Sequence, residues 1–313
     1  MSGGGVAEGG PVIRGVSPVL PTPFRADGSI DRRSFERVIT HTWELGVGSV
    51  MFPGFASEYF ALSDLERLWL LSDLAETVPP GRLLVASVAE HATHLAVRQV
   101  RRYADLGAGA INVLPPHFCG PPRAMILDHL AAVLQGAGPL PVVVQLAPRD
   151  TGTRLDPGDL ARLRADHPNL AAVKVECRSP GSYIRALTRH GVPCLAGNAG
   201  IDLPEALEAG AVGIQPGGGF VDLYLRILRL WDTGERAAAL DLHARLAAWL
   251  ESWWPVPGAP LAMGKAIAWR RGIIDEPHCR APGPTIPSGS VDPALAEVDR
   301  FIREFSLGRH APE

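Results

Sequence analysis

The chain has 313 residues, 46% hydrophobic and 20% charged, with a formal net charge of −3. Such a composition supports a folded globular chain with ample core. A slightly negative chain without a basic cluster gives a nucleic-acid surface no electrostatic support, and no apolar run is long enough to cross a membrane.

Four cysteines, Cys119, Cys177, Cys194 and Cys279, show no CxxC or other ligand spacing. They read as reduced thiols of a cytoplasmic protein. Residues 1–11 are Gly-rich, without the basic flank and apolar stretch of a signal peptide, and are expected to form a flexible tail.

The first strand is expected at 16–20, followed by Thr22-Pro23-Phe24 and an Asp27-Gly28 turn. Asp31 is a suitable N-cap for a helix carrying Phe35, Val38, Ile39 and Thr42 at helical spacing, and Gly46 suits its left-handed C-cap. The same order of helix, glycine and apolar strand returns at 106–111 and 209–214. Further strands are expected at 49–52, 83–87, 110–114, 141–146, 170–174, 193–196 and 212–215. Helices are expected at 63–77, 91–106, 122–136, 157–166, 180–190 and 202–209. Eight strands, each followed by a helical pattern, imply a parallel sheet closed as a (β/α)8 TIM barrel over residues 12–232. An open doubly wound sheet is disfavoured because no GxGxxG follows the first strand. Patterns at 220–231, 235–253, 259–272 and 292–306 hold more helix than a barrel needs. They imply a small C-terminal helical extension over 233–313, with Trp249, Trp253 and Trp254 as its packing residues.

In such a barrel the active site lies where the strands end and the next loops begin. Lys174 falls there, in the apolar run Leu170-Ala171-Ala172-Val173-Lys174-Val175-Glu176. Of the 30 basic residues only Lys174 and Lys265 are lysines. An arginine stays charged, whereas an amine can lose its proton and attack a carbonyl, as Schiff-base catalysis requires. From the stretch alone a lysine that reaches to water or pairs with Glu176 is an equal reading.

These pieces together resemble the family of dihydrodipicolinate synthase and N-acetylneuraminate lyase, class I aldolases that bind pyruvate or another 2-keto acid on a lysine of the sixth strand. The resemblance spans roughly residues 12–306. It is carried by Thr22-Pro23-Phe24, by residues 54–58 where the family has Gly-Thr-Thr-Gly-Glu, and by residues 115–121 where it has a Pro-Tyr-Tyr segment. It continues through residues 149–152 for Arg-Thr-Gly with Asp150 inserted, the Lys174 strand, Ala196-Gly197-Asn198 and the run from Gly210 to Ile214.

The resemblance implies that Lys174 is the nucleophile and that no further cofactor is needed, since the iminium is the electron sink. It implies that the N–H groups of Phe55 and Ala56 hold the substrate carboxylate and that Arg149 binds a second carboxylate or a polar tail. Ser57, Phe118, Val144, Gly197 and Ile214 complete the expected substrate pocket. A homo-oligomer, tetramer or dimer, is implied in the same way.

Three hydroxyls of the family's proton relay are missing in this register. Phe55 replaces a threonine, Phe118 a tyrosine, and Val144, five residues before Arg149, the catalytic tyrosine. His117 is the expected substitute, with Ser57, Glu58, Tyr59, Glu90, His91 and Gln145 nearby. The altered lining implies a partner less polar than an amino-acid semialdehyde or a sialic acid. The function expected is a Schiff-base lyase, aldolase or dehydratase; a non-catalytic keto-acid or sugar-acid binding protein is the alternative.

Three weaker signals remain. Gly217-Gly218-Gly219 could cradle a phosphate or form a tight loop, His91 and His94 lack a third metal ligand by spacing, and Lys265 reads as a helix-surface residue.

Overall fold

The computed structural model describes residues 13–253, 256–284 and 291–308, and the expected tail at 1–11 and Trp254 lie outside them. Eight parallel strands are β1 (Gly15–Val16), β2 (Ser49–Phe52), β3 (Leu83–Val88), β4 (Ala110–Val113), β5 (Val142–Leu146), β6 (Leu170–Val175), β7 (Cys194–Ala196) and β8 (Gly213–Ile214). Their order is β1-β8-β7-β6-β5-β4-β3-β2. Backbone bonds from Met51 to Pro18 and from Leu20 to Met51, around a Val19–Met51 bridge, join the two ends into the (β/α)8 barrel.

The first and last strands are shorter than expected, because β1 and β8 meet at glycines. A Cβ on Gly213 would stand 2.1 Å from the Gly15 carbonyl oxygen, so only the bare backbone fits there. The chain from 17 to 20 still runs alongside, with Ser17 and Val19 donating to the carbonyls of Ile214 and Pro216.

The helices follow their local signals. α1 (Arg32–Glu44) is capped by Asp31, whose side chain accepts from the Ser34 N–H. α2 (Asp64–Ala75) begins with a reciprocal Ser63/Glu66 capping box. α3 (Thr93–Asp105), α4 (Arg123–Gly136), the short α5 (Pro148–Thr151), α6 (Pro157–Asp166), α7 (Gly181–Arg189), α8 (Leu203–Glu208) and α9 (Val221–Asp232) cover the barrel. α10 (Arg236–Trp253), α11 (Ala259–Arg270) and α12 (Val291–Glu304) follow. Among the described residues no helix is long and apolar enough to cross a membrane.

Two cores result from the strands' period of two. Outward side chains, Val144, Val173 and Ile214 among them, join the helices in one large cluster. Inward side chains form a second, small cluster of Val19, Met51, Val85, Ala110, Val143, Ala172 and Leu195, to which Ile13 adds. Two residues further along the same strands the interior turns polar: Ser87, Asn112, Gln145 and Lys174 stand on top of Val85, Ala110, Val143 and Ala172. The apolar layer is the floor on which the site is built. The later helices clamp its far side, where Trp249 packs on Phe301 at 4.0 Å and on Trp253 at 4.8 Å between ring centroids, and Phe220, just past β8, joins them.

Candidate active site

A cavity of about 520 Å³ opens at the C-terminal ends of the strands, and Lys174 lies on its wall. The amine is nearly enclosed, with its side chain 5% exposed, and Nζ stands 3.1 Å from Glu176 Oε1. The pairing is local in origin: residues two apart on a strand share a face, so an inward Lys174 brings Glu176 inward with it. The other Glu176 oxygen accepts from Gln145 Nε2 at 2.6 Å. Gln145 Oε1 in turn accepts from Asn112 Nδ2 at 2.9 Å, and the same amide donates to Ser87 Oγ at 2.9 Å. Four strands therefore contribute to one line of polar groups that ends at the Lys174–Glu176 pair.

The loop after β2 forms a second wall. Residues Phe55–Ser57 make a 3-10 turn that starts at Gly54. Ser57 holds it: its hydroxyl donates to Leu20 O and accepts from the Gly54 N–H, while Thr22 Oγ1 donates to its carbonyl. The first N–H groups of such a turn have no partner within it, which leaves those of Phe55 and Ala56 free of the turn's own bonding. Phe55 and Ala56 line the cavity; Ser57 is buried behind them.

His117 also lines the cavity, with its ring 4.5 Å from that of His91 and its Nδ1 3.2 Å from the Pro115 carbonyl oxygen. His91 Nδ1 accepts the N–H groups of His117 and Phe118 at 3.3 Å each. Burial holds the His91 imidazole below its ordinary range, and the neighbouring His117 adds to this. Tyr59 reaches the cavity as well, its phenol pushed up by burial, with Arg67 opposing and Glu90 reinforcing the shift. Arg149, on α5 at the mouth, is 57% exposed and bonds Asp150 through Nε at 3.1 Å.

Five of the expected site residues, Lys174, His117, Phe55, Ala56 and Arg149, thus surround one cavity. Five others lie elsewhere. Val144 is fully buried in the helix-facing core, because β5 points Val143 and Gln145 inward and Val144 outward. Counting back from Arg149 across a loop with an inserted residue lands on the wrong parity, and Gln145 occupies the inward place. Ile214 is outward for the same reason, and Gln215 lines the cavity instead. Phe118 points away, 76% exposed. Ser57 is a brace for its loop. Gly197 leaves room for Glu176, whose Cγ would be 2.2 Å from a Cβ at that position.

Asn112 escaped the sequence reading, although a lone amide two residues after Ala110 in an apolar strand was a usable signal. The outer wall from Trp253, Val256 and Leu261 had no local signal, since it comes from the end of α10, the start of α11 and the connection between them. Lys265 is not on a helix surface: it is 2% exposed, ion-paired with the fully buried Glu58, and donates to His278 O at 2.6 Å. Glu58 is thereby a partner for Lys265; the cap of α2 is Ser63. Among the described residues no three His, Cys, Asp or Glu side chains are grouped to hold a metal ion.

Comparison with known proteins identifies the family. The model of the dihydrodipicolinate synthetase family matches residues 12–290. An L-2-keto-3-deoxyarabonate dehydratase of Azospirillum brasilense is 31% identical over 288 residues, covering 88% of this chain and 90% of that one. A 4-hydroxy-tetrahydrodipicolinate synthase of Stenotrophomonas maltophilia is 31% identical over 238 residues, 75% of this chain and 79% of the other. The fold superposes on dihydrodipicolinate synthase from Rhodopseudomonas palustris with a TM-score of 0.83 at 22% identity, over 92% of this chain and 97% of that one. YagE, a prophage protein from E. coli solved with pyruvate, gives 0.82 at 19% identity, over 94% of this chain and 99% of its own. With a family model matched over most of its length and relatives at this identity, the chain belongs to the dihydrodipicolinate synthetase family of lyases.

Proposed function

We propose that this lyase forms a Schiff base between Lys174 and the C2 carbonyl of a 2-keto acid, and that Glu176 carries the protons that hydroxyl groups carry elsewhere in the family. The observation that carries the reading is the 3.1 Å contact between Lys174 Nζ and Glu176 Oε1 inside the cavity. A carboxylate at that distance can take the ammonium proton and free the amine to add to the keto carbon. The carboxyl returns that proton to the departing hydroxyl of the carbinolamine, so that loss of water gives the iminium, leaves Glu176 ionised and makes the C3 protons acidic. Glu176 then removes a C3 proton to form the enamine. When C4 carries a hydroxyl, the enamine electrons expel it, and the same carboxyl returns its proton to the departing oxygen. The net change is loss of one water, and hydrolysis of the imine releases the product and restores Lys174.

Dehydration of a hydroxylated 2-keto-3-deoxy acid fits the lining better than a less polar partner does. The apolar expectation rested on Phe55, Phe118 and Val144, and two of these lie outside the cavity, whereas Ser87, Gln145, Glu176, Asn198 and Gln215 line it. The relative from Azospirillum brasilense, named for such a reaction, supports the same choice. The N–H groups of Phe55 and Ala56 face the substrate carboxylate in this reading, and Arg149 its distal end. In this reading Gln145 takes the place of the relay tyrosine. Pyruvate is the minimal keto acid such a site would trap. The exposed side chains of Phe60, Leu65, Phe118 and Met125 suit burial in a homo-oligomer, and four unpaired cysteines suit the cytoplasm.

The test is intact mass after borohydride reduction with pyruvate and with a 2-keto-3-deoxypentonate, beside Lys174→Ala. The native protein should gain the reduced adduct and the variant should not, and the pentonate should lose one water on turnover. Absence of any adduct on the native protein would overturn the reading.

A further inference from the structure

We infer that Asn112 and Gln145 are positioning residues that act in series to hold the Glu176 carboxylate aimed at Lys174. This rests on the proton-carrying role given to Glu176 above. The direction of the line follows from its charged end. An ionised carboxylate only accepts, so the group of Gln145 facing Glu176 Oε2 at 2.6 Å is its NH₂. A planar amide then turns its oxygen the other way, into the barrel, where it needs a donor. Asn112 supplies it at 2.9 Å, and is itself turned by Ser87, whose hydroxyl accepts from the same amide nitrogen.

Asn112 is fully buried, and its own Oδ1 has no hydrogen-bond partner among the described residues. An unpaired buried carbonyl is a loss of stability that an apolar residue, such as the neighbouring Ile111 or Val113, would avoid. The gain that offsets it lies in the donor it presents. Amides have no proton to give or take near neutrality, so the line orients Glu176 and does not conduct protons. Glu176 is met from the other side by the Asn198 N–H at 3.5 Å, and the charged and titratable groups sharing its cavity are Lys174, Arg149, Asp150, His117 and Tyr59.

Asn112→Asp replaces the donor with an acceptor. Gln145 must then turn its NH₂ inward and its oxygen toward Glu176, which favours a protonated Glu176. Asn112→Leu, close in size and uncharged, only removes the donor and keeps the test open where the aspartate prevents folding. With two lysines in the chain, ¹³C-lysine labelling gives a spectrum simple enough to follow Lys174, identified by its loss in Lys174→Arg. In the free protein the Lys174 signal should report the titration of Glu176 at higher pH in Asn112→Asp, by about one unit, and by less in Asn112→Leu. In a Gln145→Leu background Asn112→Leu should add nothing, because its effect passes through Gln145. The acid limb of the pH–rate profile should move with the spectrum.

An unchanged Lys174 titration in both Asn112 variants, or effects of Asn112 and Gln145 that simply add, would overturn the inference. The spectrum needs no keto acid, so a missing borohydride adduct would defeat the Schiff-base reading alone, and an unmoved titration beside an intact adduct would defeat the positioning role alone.

Discussion

Lys174 and Lys265 are the two lysines of the chain, and each meets a glutamate inside it, Glu176 at 3.1 Å and Glu58 by direct ion pairing. Their surroundings differ. Lys265 also donates to the His278 carbonyl and lies over the Phe24 ring at 4.4 Å, while Glu58 accepts the Arg280 N–H at 3.0 Å. Every side of that amine is occupied, and the cavity does not reach it. Burial pulls the Lys265 amine below its ordinary range and Glu58 opposes this. Lys174 has one charged partner and faces open volume. The difference teaches that a buried lysine is not by itself a nucleophile: access for a carbonyl carbon and a partner that can take the proton separate the pair proposed as reactive from the structural one.

The largest effect should come from breaking the reactive pair. Lys174→Ala should lower turnover by at least about 10⁴-fold. The urea midpoint should move little, since Glu176 keeps its Gln145 bond and its access to the cavity. Glu176→Gln should slow formation of the pyruvate adduct and lower turnover by about 10²–10⁴-fold. An adduct formed as fast as in the native protein, with turnover unchanged, would mean that Glu176 carries no proton.

Breaking the structural pair should reverse the pattern. Lys265→Met leaves the fully buried Glu58 carboxylate without its cation and should lower unfolding stability by about 3–5 kcal/mol. Urea denaturation should show it, and Lys265→Met with Glu58→Gln should recover part of the loss. Equal stability of Lys174→Ala and Lys265→Met would remove the distinction between the two pairs.

A smaller effect sits beside Glu58. The Arg280 guanidinium bonded to Glu66 brings that carboxyl from 4.5 down to about 2, with burial opposing and Ser63 assisting. A group whose folded value is depressed adds stability above its unfolded value and loses it as pH falls through the folded one. Native protein should therefore exceed Glu66→Gln by about 2 kcal/mol at neutral pH, a gap that closes as pH falls from 4.5 to about 2. The smallest change is expected for Tyr59→Phe. Burial keeps its phenol protonated at neutral pH, so it is no base there, and turnover should fall less than about tenfold.

How much of the molecule was legible in advance depends on what each residue answers to. The strand and helix order was legible because each barrel unit repeats its own signals, such as Asp31 before α1 and the glycine after it at Gly46, which takes a positive φ of 81°. Lys174 was legible because a barrel restricts chemistry to strand ends. Phe118, Val144, Ile214 and Lys265 were misplaced, because exposure and sidedness are set by neighbours. In β5 a shift of one residue exchanges the cavity for the helix-facing core.

By itself the sequence determined the eight-strand barrel pattern, the scarcity of lysine, and the pairing of Lys174 with Glu176 on one face, since strand periodicity binds residues two apart whatever surrounds them. Only the tertiary structure decided which face of each strand looks inward, for that depends on the register between strands. The same holds for the line from Ser87 through Asn112 and Gln145 to Glu176, whose steps join residues 25 to 33 positions apart in the chain. It holds too for the sealing of Lys265 by His278 and Phe24, groups that local spacing cannot bring together.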